Sequence, residues 1–137
     1  MMLSAKDIMT TQVICIHKDT PIYEAVDLMV TNSITGIPVI ENDSMLVGIL
    51  SEQDVLRLFQ TYEKEKDKTV SEFMTQPAIH FEEDEGIGDI CSCMMQNSIR
   101  RVPITSNGKV VGVISRSDIL RQIVNLWQDY FVESSKY

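Results

Sequence analysis

The chain has 137 residues, 44% of them hydrophobic, with 20 acidic against 12 basic side chains for a net charge of −8. That length suits one compact unit, and the acidic balance repels polyanions, which argues against broad nucleic-acid binding. No apolar run approaches the 18 residues of a membrane helix, and Met1-Met2-Leu3-Ser4-Ala5-Lys6 leads straight into patterned sequence with no room for a signal peptide, so a cytoplasmic location is expected.

Asp7-Ile8-Met9-Thr10 reads as a short helix and Val13-Ile14-Cys15-Ile16 as a strand. Ile22, Ala25, Val26, Met29 and Val30 then fall at i, i+3, i+4, i+7 and i+8, the stripe of an amphipathic helix. Asp19 or Thr20 is placed to cap it, with Pro21 in its opening turn. Residues 37–40 and 46–50 are short runs rich in β-branched side chains, joined by the turn Glu41-Asn42-Asp43-Ser44. Pro38 lacks a backbone donor, so it belongs at a strand edge or start. Ser51-Glu52-Gln53-Asp54 opens a further helix through Val55-Leu56-Arg57. Residues 60–69 mix charges without apolar rhythm, which predicts a solvated connection able to extend that helix.

The same succession recurs about 65 residues on. It runs through Glu72-Phe73-Met74-Thr75, Ala78-Ile79-His80-Phe81, a helical stripe of Ile87, Ile90, Cys91, Met94 and Met95, and Arg101-Val102-Pro103-Ile104-Thr105. Val110-Val111-Gly112-Val113-Ile114-Ser115-Arg116-Ser117-Asp118-Ile119-Leu120-Arg121 completes it. Asp84 is the expected cap of the second stripe, and Ser106-Asn107-Gly108-Lys109 is a hairpin turn with the Asn-Gly pair that favours tight turns. About a third of the aligned positions are identical, as in a duplicated unit. The halves divide as residues 1–60 and 70–137, with 61–69 as linker, and each is too short to bury a good core alone. The last helix, about residues 117–131, outruns its counterpart. Ile119, Ile123, Trp127 and Tyr130 line one of its faces, so its extra turns either fold back or meet another chain, and large aromatic anchors on a short domain favour self-association.

Three cysteines without a secretion signal read as free thiols. Cys91 and Cys93 point to different faces of one helix and do not make a metal pair. His17 and His80 are isolated and unmatched between the halves. There is no glycine-rich phosphate loop, paired metal-ligand motif or Ser-His-Asp set, so neither catalytic nor metal-binding residues are expected.

Two features carry binding chemistry. In Ser51-Glu52-Gln53-Asp54 and Ser115-Arg116-Ser117-Asp118 a strand ends and a helix begins, so each serine and aspartate is placed as a variant capping box. The same geometry gathers backbone donors that seat phosphate oxygens, a hydroxyl beside them, and a carboxylate able to take both hydroxyls of a ribose. The positive charge gathers in the second half, at Arg100, Arg101, Arg116 and Arg121, and guanidinium groups make bidentate bonds to phosphate. The first half has Thr35 and Gly36 opposite the arginine pair and Glu52 opposite Arg116, so the two halves are unequal.

A tandem repeat of Met-Thr before a strand, a hydrophobic-Pro-hydrophobic strand, a Val-Gly-hydrophobic strand and a Ser-x-x-Asp helix start resembles the CBS-domain family, whose paired form is the Bateman module. The resemblance spans about residues 4–125. It implies an α+β fold with α/β-type layers, two β-α-β-β-α repeats packed sheet to sheet about a pseudo-two-fold axis, with two clefts between them. It implies a stand-alone regulatory module that binds an adenosine-containing ligand (AMP, ADP, ATP or S-adenosylmethionine) and signals to a separate partner, or through its own dimer, by a change of geometry. No covalent cofactor and no enzymatic activity are implied. By the same resemblance Asp54 and Asp118 read ribose, and Ser51, Ser115, Arg100, Arg101 and Arg116 hold phosphate. The adenine wall falls on Gln12, Val13, Ile37 and Pro38 and on Pro77, Ala78, Val102 and Pro103. The competing expectation is a ligand-free structural dimerisation module in which the Ser-x-x-Asp motifs serve only as caps.

Overall fold

Alternation along each β-branched run sets one face toward a helix, and that requirement organises both halves. The computed structural model describes residues 3–135. In the first half, α1 (Ala5–Ile8) and β1 (Ile16–His17) are followed by α2 (Ile22–Thr31), β2 (Gly36–Glu41), β3 (Met45–Ser51), α3 (Glu52–Val55) and α4 (Leu58–Glu65). The second half gives a single 3-10 turn at Val70–Glu72, then β4 (Phe81–Glu82), α5 (Ile87–Asn97), β5 (Arg101–Ser106), β6 (Lys109–Ser115) and α6 (Arg116–Ser135). α4 carries the connection onward from the preceding helix, with a kink at Thr61.

Each half makes a three-stranded sheet, with the short first strand parallel to the second and the second antiparallel to the third. The two sheets meet at their hairpin tips, where Met45 pairs with Lys109, giving the order β1-β2-β3-β6-β5-β4. At the second tip Asn107 and Gly108 have φ of 51° and 83°, the left-handed pair that a tight hairpin of the right twist demands. The first tip reaches the same end with Asp43 and Ser44, both at φ 62°. β1 covers only Val39 and Ile40 of β2, so Pro38 sits where no neighbour asks for its missing donor.

The predicted strands at 13–16 and 78–81 shrink to two residues each, because the leading segment of each half goes elsewhere. Thr10 exchanges two backbone hydrogen bonds with Val113 of β6, both 2.9 Å, and Thr75 exchanges two with Ile49 of β3, at 2.8 and 3.0 Å. The leading segments are therefore exchanged between the halves. Val70 and Phe73 complete the core of Ile16, Ile22, Ala25, Met29, Ile37, Val39 and Leu50. Ala5 completes the core of Ile90, Met94, Val102, Ile104 and Ile114.

That exchange corrects two expectations. Asp19, Thr20 and Asp84 cap nothing: α2 begins after Pro21 and α5 after Gly86, with no side-chain cap on either. The first amide of each helix instead donates to a carbonyl of the exchanged segment, Ile22 to Lys68 at 2.8 Å and Ile87 to Leu3 at 3.1 Å. An orphan donor already met by backbone needs no side-chain acceptor. The helical stripes are also narrower than their spacing suggested. Ile22, Ala25 and Met29 are buried while Val30 is 74% exposed, and Met95 is 72% exposed beside buried Ile90 and Met94. No helix of the described residues is long and apolar enough to cross a membrane.

Candidate functional site

With Ile37, Val39 and Leu50 turned into one core and Val102, Ile104 and Ile114 into the other, the alternate residues of the same strands face the space between the halves. Those residues are Gly36, Pro38, Ile49 and Ser51, with Arg101, Pro103, Val113 and Ser115 opposite. They bound two cavities, of about 330 Å³ and 240 Å³.

The larger cavity is walled by Gly36, Pro38, Ile49, Ser51 and Asp54 of the first half, together with Thr75, Pro77, Ala78, Ile79, Ile99, Arg101, Pro103 and Val113. The smaller is its counterpart under the repeat, with Gln12, Val13 and Ile14 for Pro77, Ala78 and Ile79, and Ser115 and Asp118 for Ser51 and Asp54. Pro38, Gly36, Val113 and Arg101 touch both. In each cavity a Ser-x-x-Asp pair from one half therefore confronts the exchanged segment of the other.

Ser51, Asp54, Pro38, Pro77, Ala78, Pro103 and Arg101 meet at the larger cavity; Ser115, Asp118, Gln12 and Val13 meet at the smaller. Ile37 and Val102 are fully buried on the opposite faces of β2 and β5, as the period of two requires, and they are core residues, not adenine wall. Arg100 lines neither cavity. Arg116 lines a separate shallow groove with Cys91, Met94 and Leu120, and its Nε donates to the Ile99 carbonyl at 3.1 Å. Thr75, Ile79 and Ile99 also line the larger cavity, where the motifs had not placed them. The doubled Met-Thr and Asn-Ser-Ile motifs that contain Thr75 and Ile99 were the available signal.

Both capping boxes are formed. The Ser51 amide donates to Asp54 Oδ2 at 2.9 Å and the Asp54 amide returns to Ser51 Oγ at 3.3 Å. The Ser115 amide and hydroxyl both donate to Asp118 Oδ2, at 2.8 and 3.0 Å. The second carboxylate oxygens differ. Asp54 Oδ1 accepts the Thr75 hydroxyl at 3.0 Å, whereas Asp118 Oδ1 pairs with the Arg121 guanidinium. Arg57, the counterpart of Arg121, is turned away. It makes two 3.1 Å bonds to the Glu65 carboxylate, a third to the Glu72 carbonyl, and lies 4.1 Å from the centre of the Phe73 ring. Arg57, then Thr61 and Lys68, hold the Glu65 carboxyl well below its ordinary range, at about 2. No group of three or more His, Cys, Asp or Glu side chains among the described residues is arranged to hold a metal ion.

Two exchanged β-α-β-β-α halves enclosing twin clefts with Ser-x-x-Asp walls define a paired module. The chain belongs to the CBS domain family, which matches residues 5–61 and 70–125. The CBS domain-containing protein YhcV of Bacillus subtilis is 31% identical over 86% of this chain and 84% of that protein. Inosine-5'-monophosphate dehydrogenase of Methanocaldococcus jannaschii is 31% identical over 86% of this chain but only 23% of the enzyme. An uncharacterized protein of the same archaeon is 25% identical over 89% of this chain and 43% of its own length. The chain thus spans less than half of several relatives it matches, and the likeness to the dehydrogenase is to its CBS part. Among solved structures, CBSX2 of Arabidopsis thaliana in complex with AMP is similar with a TM-score of 0.79, 25% identity, and coverage of 90% of this chain and 98% of that one. The CBS domain pair of MJ0100 in complex with 5'-methylthioadenosine and S-adenosyl-L-methionine gives 0.74, 28%, 91% and 98%.

Proposed function

We propose that this chain is a regulatory CBS pair that binds an adenosine-containing ligand between its halves and reports it to a partner through a change in geometry. One observation carries the reading: Ser51, Asp54 and Arg101 converge on a largely apolar cavity of about 330 Å³, within the range of small-molecule sites. Asp54 supplies acceptors for the ribose hydroxyls and Ser51 a hydroxyl for phosphate. Arg101 brings a fork of donors from the opposite half. Pro77, Ala78, Ile79 and Ile99 offer an apolar wall for the base. That CBSX2 binds AMP and the MJ0100 pair binds S-adenosyl-L-methionine supports the ligand class.

We extend the proposal to a homodimer formed through helices, in which the unidentified protein partner reads the dimer's geometry. The extra turns of α6 do not fold back: Ile123, Leu126, Trp127, Tyr130 and Phe131 gather into an exposed apolar surface. A second apolar groove lies between α2 and α4, where Phe59 is 96% exposed. Unpartnered apolar surface of this kind marks association sites.

A thermal-shift screen with AMP, ADP, ATP, S-adenosylmethionine and NAD tests the ligand reading. A ligand with a dissociation constant near 10 µM supplied at 1 mM stabilises the fold by about 2.7 kcal/mol, a rise of several degrees in Tm. The second reading, a ligand-free dimerisation module, draws on both capping boxes being complete. The absence of a shift with every adenylate would select it.

A further inference from the structure

We infer that the two clefts are not equivalent: the ribose site is the Asp54 cleft, and Arg121 disfavours ribose in the Asp118 cleft by pairing with its carboxylate from within the chain. The inference rests on the adenosine-binding reading above and assigns the site within it.

Asp118 is 4% exposed, with Oδ2 taken by the Ser115 amide and hydroxyl and Oδ1 by Arg121. A ribose diol arriving there finds a carboxylate whose charge is already paired with a guanidinium and whose Oδ2 already takes two donors. Asp54 is only partly buried, and its Oδ1 meets nothing but the Thr75 hydroxyl, itself part of the cavity wall and free to turn toward a ligand. Arg101 lines both cavities, so the cation is common to the two clefts and the difference between them lies in the acceptor. Only the Asp54 cleft thus keeps a carboxylate oxygen that no guanidinium occupies.

The cause lies in the connection, which exists only once. The helix is interrupted at Leu56 and Arg57, and Glu65 and Phe73 return to give the guanidinium a carboxylate and a ring. After Arg121 the helix runs on unbroken to Ser135. Eight residues on stands Asp129, about 12 Å along the axis, and the residue matching Phe73 is Ile8, which has no aromatic face. Arg121 is left with Asp118.

Amide NMR titrations of the wild type with AMP, ATP and S-adenosylmethionine test this. Saturable shifts are expected at residues 51–54 and 75–79, with 10–14 and 115–118 unmoved. Asp54→Asn should weaken binding about tenfold or more. Arg121→Gln should bring residues 10–14 and 115–118 into the titration, while Arg121→Lys, which keeps the charge, should not. Wild-type shifts at 10–14 and 115–118 overturn the inference and leave the ligand reading standing. An Arg121→Gln protein with a dispersed spectrum and a silent second cleft also overturns it. Silence of both clefts toward all three ligands removes the reading and the inference together.

Discussion

A methyl group added at Gly48 would lie 2.7 Å from the Thr75 carbonyl oxygen and 3.0 Å from Met74 Sδ. That closeness explains the spacing of two motifs at once: Met-Thr is the stretch that crosses a strand, and Val-Gly is the strand it crosses. The Thr75 carbonyl is held by the Ile49 amide and cannot retreat, so Gly48→Ala should cost about 1–3 kcal/mol in chemical denaturation. Gly112 is crossed by Met9 and Thr10, but there the nearest atoms are Met9 Sδ and Cγ, with the Thr10 carbonyl at 3.0 Å. A methionine side chain can swing aside, so Gly112→Ala should cost less. Equal losses would show that backbone crowding does not govern these positions. At this scale the Ser-x-x-Asp residues were legible because a capping box is a local object, three residues wide. The different fates of Arg57 and Arg121 were not, since they depend on partners that the chain brings back from eight to sixteen residues away.

Among elements, the helices and hairpins were readable because periodicity and turn chemistry are local. The exchange of leading segments was not. Both halves carry the same Met-Thr and Val-Gly motifs, so spacing alone cannot tell whether a segment crosses its own strand or its sibling's. The missing helix caps follow from the same exchange. Phe73 makes the point testable, for it lies in the second half by sequence but is packed with Ile22, Met29 and Leu50 of the first and beneath Arg57. Phe73→Ala should cost about 3–5 kcal/mol, and hydrogen exchange should accelerate first in α2 and β2. Protection lost first from α5 would contradict the exchanged packing.

For the molecule as a whole, the proposed dimer rests on the exposed apolar face of α6. Trp127 is 61% exposed at its centre, and large aromatics at the middle of an interface dominate its energy. Trp127→Asp should convert the proposed dimer to monomer in sedimentation velocity while leaving Tm of the isolated fold within a few degrees. A wild type that sediments as a monomer at every concentration would remove the dimer from the proposal.

The crossing of Met9-Thr10 and Met74-Thr75 has one more outcome. A nick anywhere in residues 61–69 would sever the chain without parting the pieces, since each fragment still has its first turn embedded in the other. The duplication is thus a clasp, and neither copy can be inherited, excised or lost on its own without emptying part of its sibling's interior.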